Sequence, residues 1–342
     1  MKKLLFPIIA LLLALPLAQA QENVLNLFTW AEYIDPEIVR DFEEEFNARV
    51  VIDLFESNED AIGKLQAGSL GLYDVVIPSN YAIPVFIELG FLQPLDHDIV
   101  TNLDNLSPTF RDPPYDPGNV FTAAYQWGTT GIAYRNDLVD TPTSWAVLFD
   151  PEGTDQTFTL IDDSRPMIGA ALLYLGFDYN SEVPGELEAA RDLLIEVKNR
   201  SLGFFTSVTA RNMLLTGDTV YAVIYSGDAI VASFDDERIS YTVPSEGSEI
   251  WVDSMAVLAQ APNPELANEF INFILRPDIG ARLTNYVAYA SPNAAALPFI
   301  DEDIRDNPLI FVSDEIMDKL VFTEDIERID LYDLIWTQIK SR

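Results

Sequence analysis

Between residues 24 and 90 the chain alternates strand-forming and helix-forming stretches, and this order restricts the fold more than any other feature. Val24-Leu25-Asn26-Leu27-Phe28-Thr29-Trp30 reads as a strand entering a loop. Asp35-Pro36-Glu37 then opens a helix, with Asp at the cap and Pro in the first turn. Ile38, Phe42 and Phe46 follow at helical spacing. Residues 50–55 form a second strand, residues 58–66 a helix closed by Gly68, and residues 74–79 a short buried strand. A further helix runs to Leu89-Gly90. Such an order predicts an α/β fold with a mostly parallel sheet and crossover helices. Ligands of such sheets gather outside the carboxyl ends of the strands. Trp30, Glu32, Tyr33, Ser79 and Tyr81 all fall just beyond predicted strand ends.

The pattern restarts further on. Val120–Tyr125 and Thr130–Tyr134 read as strands flanking Trp127-Gly128, where the chain is expected to cross into a second lobe. There, a strand over 157–161 leads through Asp162-Asp163-Ser164-Arg165-Pro166 into a helix. Helices are predicted over 187–198 and 211–216, and a buried strand, Val220–Tyr225, ends at Ser226-Gly227-Asp228. Glu249-Ile250-Trp251-Val252-Asp253-Ser254 is a strand and the expected return crossing. Alternation along it places Trp251 and Asp253 on one face. A helix over 265–275 stops at Arg276-Pro277, residues 288–293 form a loop around Tyr289, and residues 330–340 form a terminal helix.

Length supports two lobes. The start, Met1-Lys2-Lys3-Leu4-Leu5-Phe6 through Ala20, has two positive charges, an apolar run and a small-x-small site, which is the pattern of a secretory signal peptide cleaved after Ala20. The 342 residues less those 20 leave 322, more than one core usually organises. The predicted division is 1–20 signal peptide, 21–125 with 254–300 as lobe one, and 126–253 with 301–342 as lobe two. A cleft between hinged lobes would hold the ligand. Cys is absent from the whole sequence, which excludes disulfides, thiolate chemistry and a Cys-linked lipid anchor. A free periplasmic protein, without membrane insertion, is expected.

The formal charge of −35 becomes −37 once Lys2 and Lys3 are removed, which disfavours nucleic acid and anionic membranes as partners. Most of the 55 acidic residues belong to the surface. The single His, His97, removes the usual catalytic triads and zinc sites. Phosphate-binding glycine loops are absent, so a nucleotide is not expected. Asp-x-Asp calcium loops lack their remaining ligands, and neither a bound metal nor another cofactor is expected. A carboxylate pair of glycosidase type stays open on sequence alone.

What remains at the strand ends is rich in rings and carboxylates: Trp30, Glu32, Tyr33, Ser79, Tyr81, Asp163, Tyr225, Asp228, Trp251, Asp253 and Tyr289. None is Lys or Arg. Aromatic faces attract a cation by roughly 0.5–2 kcal/mol, and they accept methylenes; carboxylates pair with ammonium groups. A linear diamine fits this set better than a sugar or a metal.

The sequence resembles the periplasmic polyamine-binding proteins that serve spermidine and putrescine importers of the ATP-binding-cassette type. The resemblance spans the mature chain. It is carried in order by Phe28-Thr29-Trp30-Ala31-Glu32-Tyr33-Ile34, Tyr73 to Tyr81, Trp127 to Ile132, Tyr225 to Ala229, Trp251 to Ser254, Asn272 to Pro277 and Tyr289 to Asn293. It implies a two-lobed, type II binding-protein fold, a polyamine ligand, a permease with its ATPase subunit as partners, and a monomer without enzymatic activity. Residue by residue, it implies that Trp30 and Tyr33, with Glu32, wall one end, that Ser79 and Tyr81 meet an end amine, and that Trp251 stacks on methylenes. Asp253 would pair with an ammonium, Asp228 would match the carboxylate of the putrescine-type Trp-x-Gly-Asp motif with Tyr225 in place of Trp, and Tyr289 would close the site. Asp163 matches the spermidine-type anchor loop, but Pro166 stands where those members carry Glu. Putrescine is therefore expected ahead of spermidine. A sensor docking to a receptor, and a carboxylate-pair hydrolase, are the alternatives.

Overall fold

The structure, a computed structural model, describes residues 23–342 apart from positions 313, 325 and 327. The expected signal peptide lies outside the described residues. The first elements are β1 (Val24–Thr29), α1 (Pro36–Phe46), β2 (Arg49–Leu54), α2 (Asn58–Lys64) and β3 (Val75–Val76). β1 runs parallel to both β2 and β3, as the alternation requires. Asp35 caps α1 by accepting from the Glu37 amide. Ile38 and Phe42 are fully buried on the inner face of that helix. α2 ends at Lys64, earlier than the expected Gln66, and passes into a π-turn in which Gly68 takes φ 107°, a backbone region that favours glycine.

Next come α3 (Ile83–Glu88), β4 (Leu92–Gln93), α4 (Pro108–Arg111) and β5 (Thr122–Arg135). The two strands expected around Trp127-Gly128 are one continuous strand of 14 residues, buried throughout. Gly128 does not mark a turn. A Cβ there would lie 2.7 Å from the Trp251 ring, so the glycine permits a close approach.

The chain continues through α5 (Ala146–Phe149), β6 (Phe158–Ile161), α6 (Ser164–Tyr174), α7 (Pro184–Arg200), β7 (Phe204–Phe205), α8 (Ser207–Thr216), β8 (Tyr221–Tyr225), α9 (Ser226–Asp235) and β9 (Ile239–Thr242). The 11-residue β10 (Ser248–Leu258) precedes α10 (Pro264–Ile274), α11 (Pro277–Val287), α12 (Glu302–Arg305), α13 (Asp314–Met317), β11 (Leu320–Phe322) and α14 (Ile329–Ser341). Helix α11 was not foreseen. Pro277 ends one helix and, in the first turn of the next, begins another.

β5 and β10 hold the molecule together. They pair antiparallel from Ile250↔Thr129 to Ala256↔Thr122, with a bulge between Asp253 and Ser254. The rest of β5 pairs with β8 and β9, while the far end of β10 pairs with β3. Two long strands therefore connect two halves, each with its own core. One core gathers Leu27, Phe42, Val75, Phe270 and Leu283. The other gathers Trp145, Phe158, Leu194 and Tyr332. Burying each such side chain contributes roughly 1.5–3 kcal/mol, so both halves have independent means of support. The chain returns late to each: Ile304 and Ile310 pack in the first core, and α14 packs on α7 and α6 in the second.

Candidate ligand-binding site

All eleven residues singled out in the sequence line one cleft of about 510 Å³. That volume suits a small ligand. Loops after β1 and β3 supply Trp30, Glu32, Tyr33, Ser79 and Tyr81, and the loop after α11 supplies Tyr289. Asp163 caps α6, Tyr225 ends β8, and Asp228 sits in the first turn of α9. Trp251 and Asp253 project from the middle of β10.

Asp253 is buried, and both of its oxygens accept hydroxyl hydrogens. Ser79 Oγ donates at 2.7 Å to one, and Tyr33 OH donates at 2.7 Å to the other. Asn58 holds Ser79 in place: its side-chain oxygen accepts from the Ser79 amide, and its NH₂ donates to Ser79 Oγ and Tyr81 OH. Burial pushes the Asp253 carboxyl up to about 7, against the downward pull of the two hydroxyls. Asp253 is thus an acceptor with local dipoles around it and, among the described residues, no cationic side chain on its oxygens. Tyr33 and Ser79 were expected to serve separate parts of the ligand; here they converge on one carboxylate.

A second group lies along the wall. Tyr225 OH donates to Asp163 at 2.8 Å, and the Arg165 amide donates to the other Asp163 oxygen. Burial raises the Asp163 carboxyl, and the negative charges of Glu59 and Glu249 raise it further. Glu249 also lines the cleft and was missed in the sequence. It is two residues before Trp251, on the same strand face, so the period-two argument already pointed to it. Its oxygens accept from Thr130, Tyr179 and Thr323, and burial raises it as well. Arg165 stands behind this wall, buried between the rings of Tyr81 and Tyr332 at 5.1 and 5.0 Å.

The third group contains a cation that the sequence reading did not include. Arg211, on α8, donates to Asp228 at 3.1 Å and to Glu32 at 2.6 Å. Ser207 Oγ and Tyr289 OH donate to the second Asp228 oxygen at 2.5 and 3.4 Å. Burial raises the Asp228 carboxyl, while Ser207 and Arg211 lower it. Glu32 sits at φ 53°, a left-handed backbone that turns its side chain toward α8. Arg211 lies 179 residues from Glu32 in sequence, which is why no local pattern revealed it.

Rings fill the space between these groups. Trp251 meets Tyr225 and Tyr289 edge-on at 5.6 and 5.0 Å, and Tyr33 meets Tyr289 at 5.7 Å. Gly128 admits the indole, and Gly227 admits the Tyr289 ring, since a Cβ there would fall 2.5 Å from it. Trp30 is fixed by its Nε1 donating to the Ile77 carbonyl at 2.9 Å.

Two α/β lobes joined by two long strands, with a ligand-sized cleft between them, define a solute-binding protein of the two-lobed, type II class. Residues 37–312 match the family described as bacterial extracellular solute-binding protein, and the chain belongs to that family. A putrescine/agmatine-binding protein of Pseudomonas aeruginosa is 35% identical over 347 aligned positions, covering 95% of this chain and 94% of its own. The spermidine/putrescine-binding periplasmic protein of Escherichia coli is 33% identical, over 93% of this chain and 91% of its own. A spermidine/putrescine ABC transporter substrate-binding protein from Streptococcus pneumoniae has a similar structure, with TM-score 0.77 and 30% identity over 94% of this chain and 99% of that one. Among the described residues, no helix is long and apolar enough to cross a membrane.

Proposed function

We propose that this protein captures a polyamine in the periplasm and delivers it to the permease of an ATP-binding-cassette importer, with putrescine preferred over spermidine. The observation that carries the reading is Asp253: a buried carboxylate with two hydroxyl donors, no cation on it among the described residues, and aromatic rings beside it. An ammonium supplies the missing positive charge, and the alkyl chain lies against Trp251 and its neighbouring rings. Asp163, braced by Tyr225, is the second anchor. The names of the relatives support the same ligand class. The chain acts as a carrier and not as an enzyme, works as a monomer, and loses its leader after Ala20.

The lobes in this reading are 21–125 with 254–310, and 126–253 with 311–342; the first runs on past the expected residue 300 because Ile304 and Ile310 pack with Ile300 in its core. Isothermal titration of the exported protein with putrescine and spermidine tests the function. Saturable binding of both, tighter for putrescine, is expected. Absence of heat with either rejects the function, and tighter spermidine binding rejects the preference. Mass spectrometry of the amine after incubation is expected to return it unchanged, and that of the exported chain to show Gln21 at the N-terminus.

A further inference from the structure

One cationic side chain already occupies part of the cleft. The Arg211 guanidinium bridges Asp228, on α9, and Glu32, in the loop after β1, at 3.1 and 2.6 Å. Its side chain is only 13% exposed, and so is that of Asp228. Asp228 has little acceptor capacity left, since Ser207 and Tyr289 address its other oxygen. Asp253 and Asp163 differ: their side-chain donors are hydroxyls. Glu249, further along the wall, already has three hydroxyl donors and the charge of the buried Arg165 guanidinium acting on it. This leaves Asp253 and Asp163 as the carboxylates that await a cation, while Asp228 and Glu32 already share one.

We propose that Arg211 is a specificity-determining residue that stands in for a third amine: it fills the Asp228–Glu32 end and limits the ligand to two ammonium groups. A triamine entering the cleft would bring its third charge against a guanidinium, or leave that charge unpaired. A diamine meets Asp253 and Asp163 and stops short of Arg211. This inference rests on the polyamine reading and adds to it the residue that sets ligand length.

Removing the guanidinium frees Asp228 and Glu32 for the third amine, so the test is a ratio of affinities. Wild type, R211A, R211Q and R211K are titrated calorimetrically with putrescine and spermidine, and their melting temperatures are followed with each amine. In R211A and R211Q the spermidine-to-putrescine affinity ratio is expected to rise at least tenfold, with spermidine giving the larger thermal shift. R211K, which keeps the charge, is expected to hold the wild-type ratio within threefold. A ratio unchanged in both neutral variants overturns the proposal, as does a parallel loss for both amines, which would make Arg211 a clasp between lobes and nothing more. Should R211A fail to fold, R211Q decides on the same ratio; collapse of both neutral variants also overturns the proposal, because Arg211 would then be structural. Silence of the wild type toward both amines sinks the polyamine reading itself and is distinct from these outcomes.

Discussion

The two ends of the cleft handle negative charge differently. At Asp253 the carboxylate is surrounded by Tyr33, Ser79 and the rings, with only neutral donors on its oxygens. At Asp228 the carboxylate has a guanidinium against it and shares that guanidinium with Glu32. Both side chains are largely shielded from water, yet only one end is electrostatically complete. A buried charge without a counter-ion is unfavourable by several kcal/mol, so the incomplete end is where a cationic ligand gains most. A residue's burial and type do not distinguish the two ends; the partner does.

The strongest test of that contrast is Asp253→Asn. Truncating one partner of a buried, hydrogen-bonded charge pair typically costs about 2–5 kcal/mol, so diamine affinity should fall roughly 30-fold or more. The melting temperature of the ligand-free protein should stay the same or rise, because the variant no longer buries an unpaired charge. Calorimetric titration beside a thermal melt reads both. Loss of fold would show that Asp253 is a structural member of β10.

Protonation should separate the ends next. In the unfolded chain the Asp253 carboxyl ionises near 3.8, and in the folded chain near 7. Between those values the native state holds a proton that the unfolded state has released. Ligand-free stability therefore falls as pH rises from about 4 to 7, by up to a few kcal/mol from this group, and is flat with respect to it above 7. An ammonium favours the charged form, so binding near pH 6 releases protons, and affinity should weaken by about tenfold per pH unit below 7 for each proton released. Titrations at one pH in buffers of different ionisation enthalpy count those protons. A count of zero at pH 6 would show that Asp253 is already ionised without ligand.

Gly128→Ala sharpens the comparison through packing alone. The new Cβ would meet the Trp251 ring at 2.7 Å and Ser226 Oγ at 2.9 Å. Overpacking of this kind costs about 1–3 kcal/mol. The indole is expected to shift into the cleft, weakening the diamine by roughly tenfold and quenching or shifting Trp fluorescence. Unchanged affinity would mean that the ring does not touch the ligand.

Much of this was legible in the sequence, for identifiable reasons. Period-two alternation put Trp251 and Asp253 on one face of β10, and the strand–helix order gave the parallel pairing of β1 with β2 and β3. Both signals are local. Gly128 misled because a glycine demanded by a ring 123 positions away resembles one demanded by a turn. Pro277 misled because the same residue that stops a helix also starts one. Glu249 was within reach of the alternation argument and was passed over. Arg211 was not within reach: its partners come from β1's loop and from α9, and only the tertiary fold brings them together.

The smallest expected effect is at the complete end. Glu32→Gln removes one of the two carboxylates on Arg211, but the Glu32 side chain is 54% exposed, and pairs open to solvent contribute about 0–1 kcal/mol. Asp228 keeps the guanidinium at 3.1 Å, and Ser207 and Tyr289 keep Asp228 in place. Putrescine affinity should therefore change by no more than about fivefold, and what change there is should shrink further in 0.5 M salt, where exposed charges are screened within a few ångströms. Titrations of the variant at low and high salt measure this. A loss approaching that of Asp253→Asn, and resistant to salt, would place Glu32 on the ligand itself and erase the distinction between the two ends.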